Sequence, residues 1–136
     1  MNPVVHFEMP FDDKQRMANF YQNAFGWKPL MLGSEMGEYV LVQTAETDEQ
    51  GMLKEPGRIN GGFYHKSADK PAQYPSVVIA VTDLNEAMKK LTDAGGKVIG
   101  EPVEIKGYGM YVSFYDTEGN RVSLMQPTKE WQKKSP

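Results

Sequence analysis

The 136-residue sequence contains no cysteine, which excludes disulfides, thiolate metal sites, thiol nucleophiles and iron–sulfur clusters. Histidine is almost as scarce. His6 and His65 are the two present, so a His-rich metal site is excluded as well. Long apolar runs are missing: Val77 to Val81 is among the longest, against the ~20 residues a bilayer-spanning helix needs. The N-terminal MNPVVHFEM lacks a basic segment followed by an apolar one, so no signal peptide is read and a cytoplasmic protein is expected. Charge of one sign is lacking too. Fifteen basic and eighteen acidic residues, interspersed, give a net charge of −3, without the concentrated basic face that nucleic acid requires. The clustered Lys129, Lys133 and Lys134 fall in a polar tail over 128–136 and read as solvated charge; Trp131 in the same tail is expected to dock on a neighbouring surface. Neither a G-x-S-x-G nucleophile turn nor a G-x-x-x-x-G-K-[ST] phosphate loop occurs.

What is present suits one globular domain, with 40% hydrophobic and 24% charged residues. A chain this long buries roughly 68% of its unfolded surface, enough for a core without staples. An internal repeat organises it. At an offset of about 70 positions, Val5-His6-Phe7-Glu8-Met9 falls on Pro75-Ser76-Val77-Val78-Ile79. Asp13 then meets Asp83, Tyr21 meets Leu91, Ala24 meets Ala94 and Gly26 meets Gly96.

Each half opens with a short strand, reaches an aspartate and continues as a helix. In the second, Asp83 is a good N-cap, Glu86 completes a capping box, and Leu84, Ala87, Met88, Leu91 and Ala94 form the apolar face before Gly95-Gly96. In the first, Asp12 with Gln15, or Asp13 alone, caps a helix whose inner face is Met17, Phe20, Tyr21, Ala24 and Phe25, ending at Gly26. Three strand signals follow each helix: Trp27 to Leu32, Tyr39 to Thr44 and Ile59 to His65, then Lys97 to Ile99 (with an extension to Val103), Met110 to Tyr115 and Arg121 to Gln126. Asp116 to Asn120 is a hairpin turn. The halves differ mainly in the insert Ala45 to Arg58, read as a solvated, mobile loop with a functional lid as the alternative. Gly61-Gly62 within a strand marks a bulge or a place where something approaches the backbone closely. Module one spans about 3–66, a linker 67–74, and module two about 75–127, within a single domain over 1–130.

HFEMPFDD followed by ANFYQNAFGW, and VIAVTDLNEAMKKLTDAGGKV followed by FYDTEGNRVSLMQ, resemble the vicinal oxygen chelate superfamily. That group includes glyoxalase I, extradiol dioxygenases, fosfomycin-resistance enzymes and bleomycin-binding proteins. The resemblance runs from about Val4 to Gln126. It implies an α+β glyoxalase-like fold, two βαβββ modules forming a curled, eight-stranded mixed sheet that encloses a cup, and it implies a two-fold homodimer. In the superfamily's metalloenzymes the first and last strands of each half supply one ligand apiece. Carried over, those positions are His6, a place near Gly61 in INGGFY, Ser76 and Ser123. One of the four binds metal well, since glycine has no donor and a neutral serine hydroxyl is a poor ligand.

The expectation is therefore a protein that binds a small organic molecule in its cup, with no metal or other cofactor. His6, Glu8, Ser76, Tyr111 and Ser123 are the candidate ligand-binding residues. His6 is expected to hydrogen-bond a neighbour such as Glu8, and the pair is also the candidate acid/base couple. Met110 to Tyr115 carries aromatic residues on both faces, which suits an organic ligand. The alternative is a metal-dependent lyase (lactoylglutathione-lyase-like), isomerase or dioxygenase, in which a divalent metal occupies a site rebuilt from His6, Glu8 and His65. Such a site needs three donors to converge within about 2–2.6 Å of one ion. A third option is an interaction domain without a ligand.

Overall fold

The computed structural model describes residues 1–129; the tail that includes Trp131, Lys133 and Lys134 lies outside the described residues. Each half is a βαβββ module, and the fold is the α+β architecture expected. Module one consists of β1 (Val4–Phe11), α1 (Lys14–Phe25), β2 (Lys28–Met31), β3 (Val40–Gln43) and β4 (Asn60–His65), with a short 3-10 turn over Ser34–Met36 between β2 and β3. Module two consists of β5 (Ser76–Ala80), α2 (Leu84–Asp93), β6 (Lys97–Ile105), β7 (Gly109–Tyr115) and β8 (Arg121–Pro127). No helix among the described residues is long and apolar enough to cross a membrane.

The two modules repeat one pairing scheme. In the first, β1 runs parallel to β4, and β4–β3 and β3–β2 are antiparallel. In the second, β5 runs parallel to β8, and β8–β7 and β7–β6 are antiparallel. By compactness His6–Pro75 forms one unit, while Met1–Val5 groups with the chain from Ser76 onward. Within that second unit the Ala80 amide donates to the Pro3 carbonyl at 2.9 Å.

Both helices start at an aspartate in extended conformation, because a short carboxylate can accept from the amide three residues on. Asp13 accepts from the Arg16 amide at 2.9 Å and Asp83 from the Glu86 amide at 3.0 Å. Of the two caps considered for α1, Asp13 is the one used. The reciprocal half of the capping box is replaced in α2: the Glu86 carboxylate meets Lys90 Nζ at 3.1 Å instead. The hairpin turn is organised by Asp116, which accepts from the amides of Glu118 at 2.8 Å and Asn120 at 2.9 Å. Bonds from the Asn120 side chain first, and then from these backbone amides, hold its carboxyl below the usual carboxylate range.

Module one packs Phe11, Val40, Val42 and Phe63, joined by Phe7, Met9, Met17, Tyr21, Trp27 and Met31. Module two packs Val81, Leu84, Val112 and Leu124 against Ile79, Met88, Leu91 and Phe114. The inner face expected of α1 is corrected here. Ala18 is its buried residue, Met17 and Tyr21 are half-buried, and Phe20, Ala24 and Phe25 are exposed. The cause is Trp27 just beyond the helix, whose ring stacks on Tyr21 at 4.7 Å and 12°. Phe20 and Phe25 are left to pack edge-on or tilted from outside, at 5.0 and 6.0 Å from Tyr21.

The insert between β3 and β4 is mostly exposed yet internally bonded. Thr47 bridges Leu53, and Asp48 Oδ1 accepts from the amides of Gln50 at 2.9 Å and Met52 at 3.0 Å. Strand β6 runs past the expected end, to Ile105, across an irregularity between Ile99 and Val103 where Gly100 takes φ 69°.

Candidate functional site

Strand alternation sets His6 and Glu8 of β1 on one face. Between them stands a residue that sequence reading assigned only to a strand. The Tyr39 hydroxyl lies 3.1 Å from His6 Nε2 and donates to Glu8 Oε2 at 3.1 Å. The contact expected between His6 and Glu8 is thus mediated by Tyr39. Glu8 is 7% exposed. Burial pushes the His6 imidazole down from its ordinary 6.5 to about 4, because desolvation disfavours the charged ring. His6 is therefore neutral at pH 7.

Local structure explains how Tyr39 reaches this place. Leu32 N donates to the Tyr39 carbonyl at 2.9 Å, closing the loop from β2 to β3. The preceding residue, Glu38, has φ 61°, a conformation costing a non-glycine residue about 1–2 kcal/mol. An ion pair with Lys14 of α1 holds its side chain. The ring then passes over Gly62, where an added Cβ would stand 1.9 Å from the Tyr39 hydroxyl oxygen. At Gly61 a Cβ would stand 2.4 Å from the Phe7 ring. The paired glycines thus admit two aromatic rings of the chain itself.

Module two carries a hydroxyl cluster at the matching positions. Tyr111 Oη lies 2.6 Å from Ser123 Oγ, Ser113 Oγ lies 3.1 Å from it, and Arg121 Nη2 donates to Ser113 Oγ at 3.5 Å. Ser123 is 2% exposed. The strand registers make the correspondence explicit. Leu41 opposes Gly62 in module one as Ser113 opposes Ser123 in module two, and Val40 opposes Phe63 as Val112 opposes Leu124. Tyr39 and Tyr111 are therefore equivalent, and so are Gly62 and Ser123. The last-strand position of module one, expected near Gly61, is thus Gly62. The bond Tyr111 makes to Ser123 has no counterpart over Gly62, where Tyr39 turns to His6 and Glu8.

The candidates thus fall into groups. His6 and Glu8 share Tyr39; Tyr111 and Ser123 touch directly, with Ser113 added. Ser76 opens β5, half-buried, outside these hydrogen bonds. His65 sits elsewhere on module one. It opposes Phe11 in a register where His6 opposes Asn60, five positions along, or roughly 16 Å at strand rise. It is exposed and meets the Phe11 ring edge-on at 5.3 Å. A site rebuilt from His6, Glu8 and His65 therefore lacks convergence. Among the described residues no group of three His, Cys, Asp or Glu side chains is arranged to hold a metal ion. His6 Nε2 and a Glu8 oxygen, two atoms a metal would need, both bond the Tyr39 hydroxyl.

A shallow hollow of about 350 Å³ on module one is bordered by Phe11, Asp12, Asp13, Arg16, Met17 and Phe20. None of His6, Glu8 or Tyr39 lines it, and its carboxylates and arginine stand in solvent. The desolvated cluster around Tyr39 is the chemically distinctive place. Tyr39 was detectable from sequence in one respect: it aligns with Tyr111 once a two-residue gap is allowed before the third strand, which an ungapped repeat hides.

Comparison with known proteins gives a consistent result. The model of the Glyoxalase/Bleomycin resistance protein/Dioxygenase superfamily matches residues 4–124. A glyoxylase-like domain-containing protein of Didymella fabae is 28% identical over 120 residues, covering 86% of this chain and 88% of that one. The lactoylglutathione lyase of Salmonella typhimurium is 25% identical over 128 residues, covering 90% and 91%. The crystal structure of methylmalonyl-CoA epimerase from Mycobacterium tuberculosis superposes with a TM-score of 0.66 at 13% identity, covering 96% of this chain and 91% of that one. At that identity the likeness concerns fold.

Proposed function

The chain belongs to the Glyoxalase/Bleomycin resistance protein/Dioxygenase superfamily, and from that premise we propose that it binds a small organic molecule at the His6–Tyr39–Glu8 cluster without a resident metal. One observation carries the reading: the imidazole and the carboxylate both bond the Tyr39 hydroxyl, which fills the point between them that an ion would need. A neutral, desolvated imidazole beside a buried carboxylate is suited to hydrogen-bonding an uncharged organic group. Tyr111 and Ser123, bonded to each other, are the hydroxyl pair assigned to the ligand on module two.

The test is a thermal-shift screen of the intact protein against a library of small organic acids, phenols and amides, repeated on His6→Ala. The expected result is a set of compounds that raise Tm in the wild type and not in the variant. If no compound shifts Tm, the ligand-free interaction domain is the better reading.

The likeness to lactoylglutathione lyase favours a second reading, a metal-dependent lyase, isomerase or dioxygenase. It predicts stoichiometric divalent metal in protein purified without chelator, loss of that metal in His6→Ala, and a rise in Tm on adding Ni²⁺, Zn²⁺, Mn²⁺ or Fe²⁺. A homodimer and a cytoplasmic location belong to the same proposal. Sedimentation of the purified chain and fractionation of the producing cells test them.

A further inference from the structure

Proton counting around Tyr39 specifies the atom that His6 presents. A tyrosine hydroxyl has a single proton to donate. The hydroxyl donates to Glu8 Oε2, so at His6 Nε2, 3.1 Å away, its oxygen can only accept. The ring must then donate from Nε2. We infer that Tyr39 is a positioning residue that fixes His6 as the Nε2–H tautomer and turns Nδ1 into the acceptor atom of the site. Nδ1 makes no hydrogen bond among the described residues.

The order of events runs from Glu8 outward. The buried carboxylate accepts a hydrogen bond from the Tyr39 hydroxyl, the hydroxyl oxygen accepts one from Nε2–H, and the lone pair of the neutral ring is left on Nδ1. Gly62 is what permits it, since a Cβ there would meet the hydroxyl oxygen at 1.9 Å. The bearing on ligand chemistry rests on the function proposed above. The ligand atom set against His6 is a hydrogen-bond donor, such as a phenol, enol or alcohol O–H or an amide N–H, and not a carboxylate oxygen.

The measurement is two-bond ¹H–¹⁵N correlation of the histidine ring in the full chain, free of ligand, at pH 7. His65→Gln identifies the signals of His6. The expected spectrum has a pyrrole-type Nε2 and a pyridine-type Nδ1. In Tyr39→Phe, which removes one oxygen, the two His6 nitrogens move toward each other as the tautomers mix. A protonated Nδ1 in the wild type overturns the inference, as does an unchanged pattern in Tyr39→Phe. The wild-type spectrum decides the tautomer even if the variant fails to fold. Because no ligand is present, a negative library screen leaves this result standing, and a wrong tautomer leaves the screen standing.

Discussion

At the scale of single residues, burial prevails over proximity to a carboxylate at His6. A neighbouring carboxylate would raise imidazole basicity, but Tyr39 is interposed and desolvation takes the ring down to about 4. The folded protein then binds fewer protons than the unfolded chain between pH 6.5 and about 4. The contribution of this group is complete above 6.5, declines as the pH falls through that interval and is constant below it. The loss at the acid end is on the order of 3 kcal/mol. Denaturant unfolding at pH 7 and pH 4 should show that extra acid sensitivity in the wild type and lack it in His6→Gln. An equal acid loss in both proteins would refute it. His6 and Ser123 became candidates through the superfamily's ligand positions, Glu8 through strand alternation and Tyr111 through its aromatic strand, and all four belong to polar clusters. The bridging role of Tyr39 was not readable in the sequence, because it depends on the space over a glycine in a strand distant in sequence.

At the scale of elements, helix starts and the strand–helix–three-strand succession of each half were legible because caps and alternation are local signals. The buried face of α1 was not. Helical spacing grouped Phe20 and Phe25 with Met17 and Tyr21, yet Trp27, outside the helix, took the place against Tyr21. The energetic consequence is measurable. Phe63 is 0% exposed and Phe20 is 59% exposed. Phe63→Ala should cost roughly 3–5 kcal/mol, and Phe20→Ser less than about 1 kcal/mol. Comparable losses by urea denaturation would place Phe20 in the core after all. Strand β7 supplies a second case. Gly109 has φ 145°, and a Cβ there would stand 2.0 Å from the Gln126 carbonyl oxygen of β8. Because backbone cannot yield as a side-chain tip can, Gly109→Ala should cost roughly 2–5 kcal/mol. A loss under 1 kcal/mol in the same assay would show that the β7–β8 pairing adjusts.

At the scale of the whole molecule, a repeat readable in sequence became two modules with one pairing scheme and different chemistry. Lys14 and Glu38 illustrate how an element outside the site governs it, since their ion pair anchors the turn that delivers Tyr39. Lys14→Met should lower Tm by a few degrees, as expected of about 0.5–1 kcal/mol for a partly exposed pair. It should also broaden the Tyr39 ring signals. Unchanged signals would mean that the turn holds itself. The metal question belongs to this scale too, because the superfamily's ligand positions were identified by aligning halves, while the donors' actual partners emerged only from tertiary packing.

The matched tyrosines make the chain its own control for divergence. Where module two has a serine, module one has a glycine, and the missing side chain leaves room for a phenol to bond a histidine and an acid instead of a hydroxyl. Restoring it with Gly62→Ser should return the first copy to the habit of the second, with its tyrosine redirected and its imidazole released.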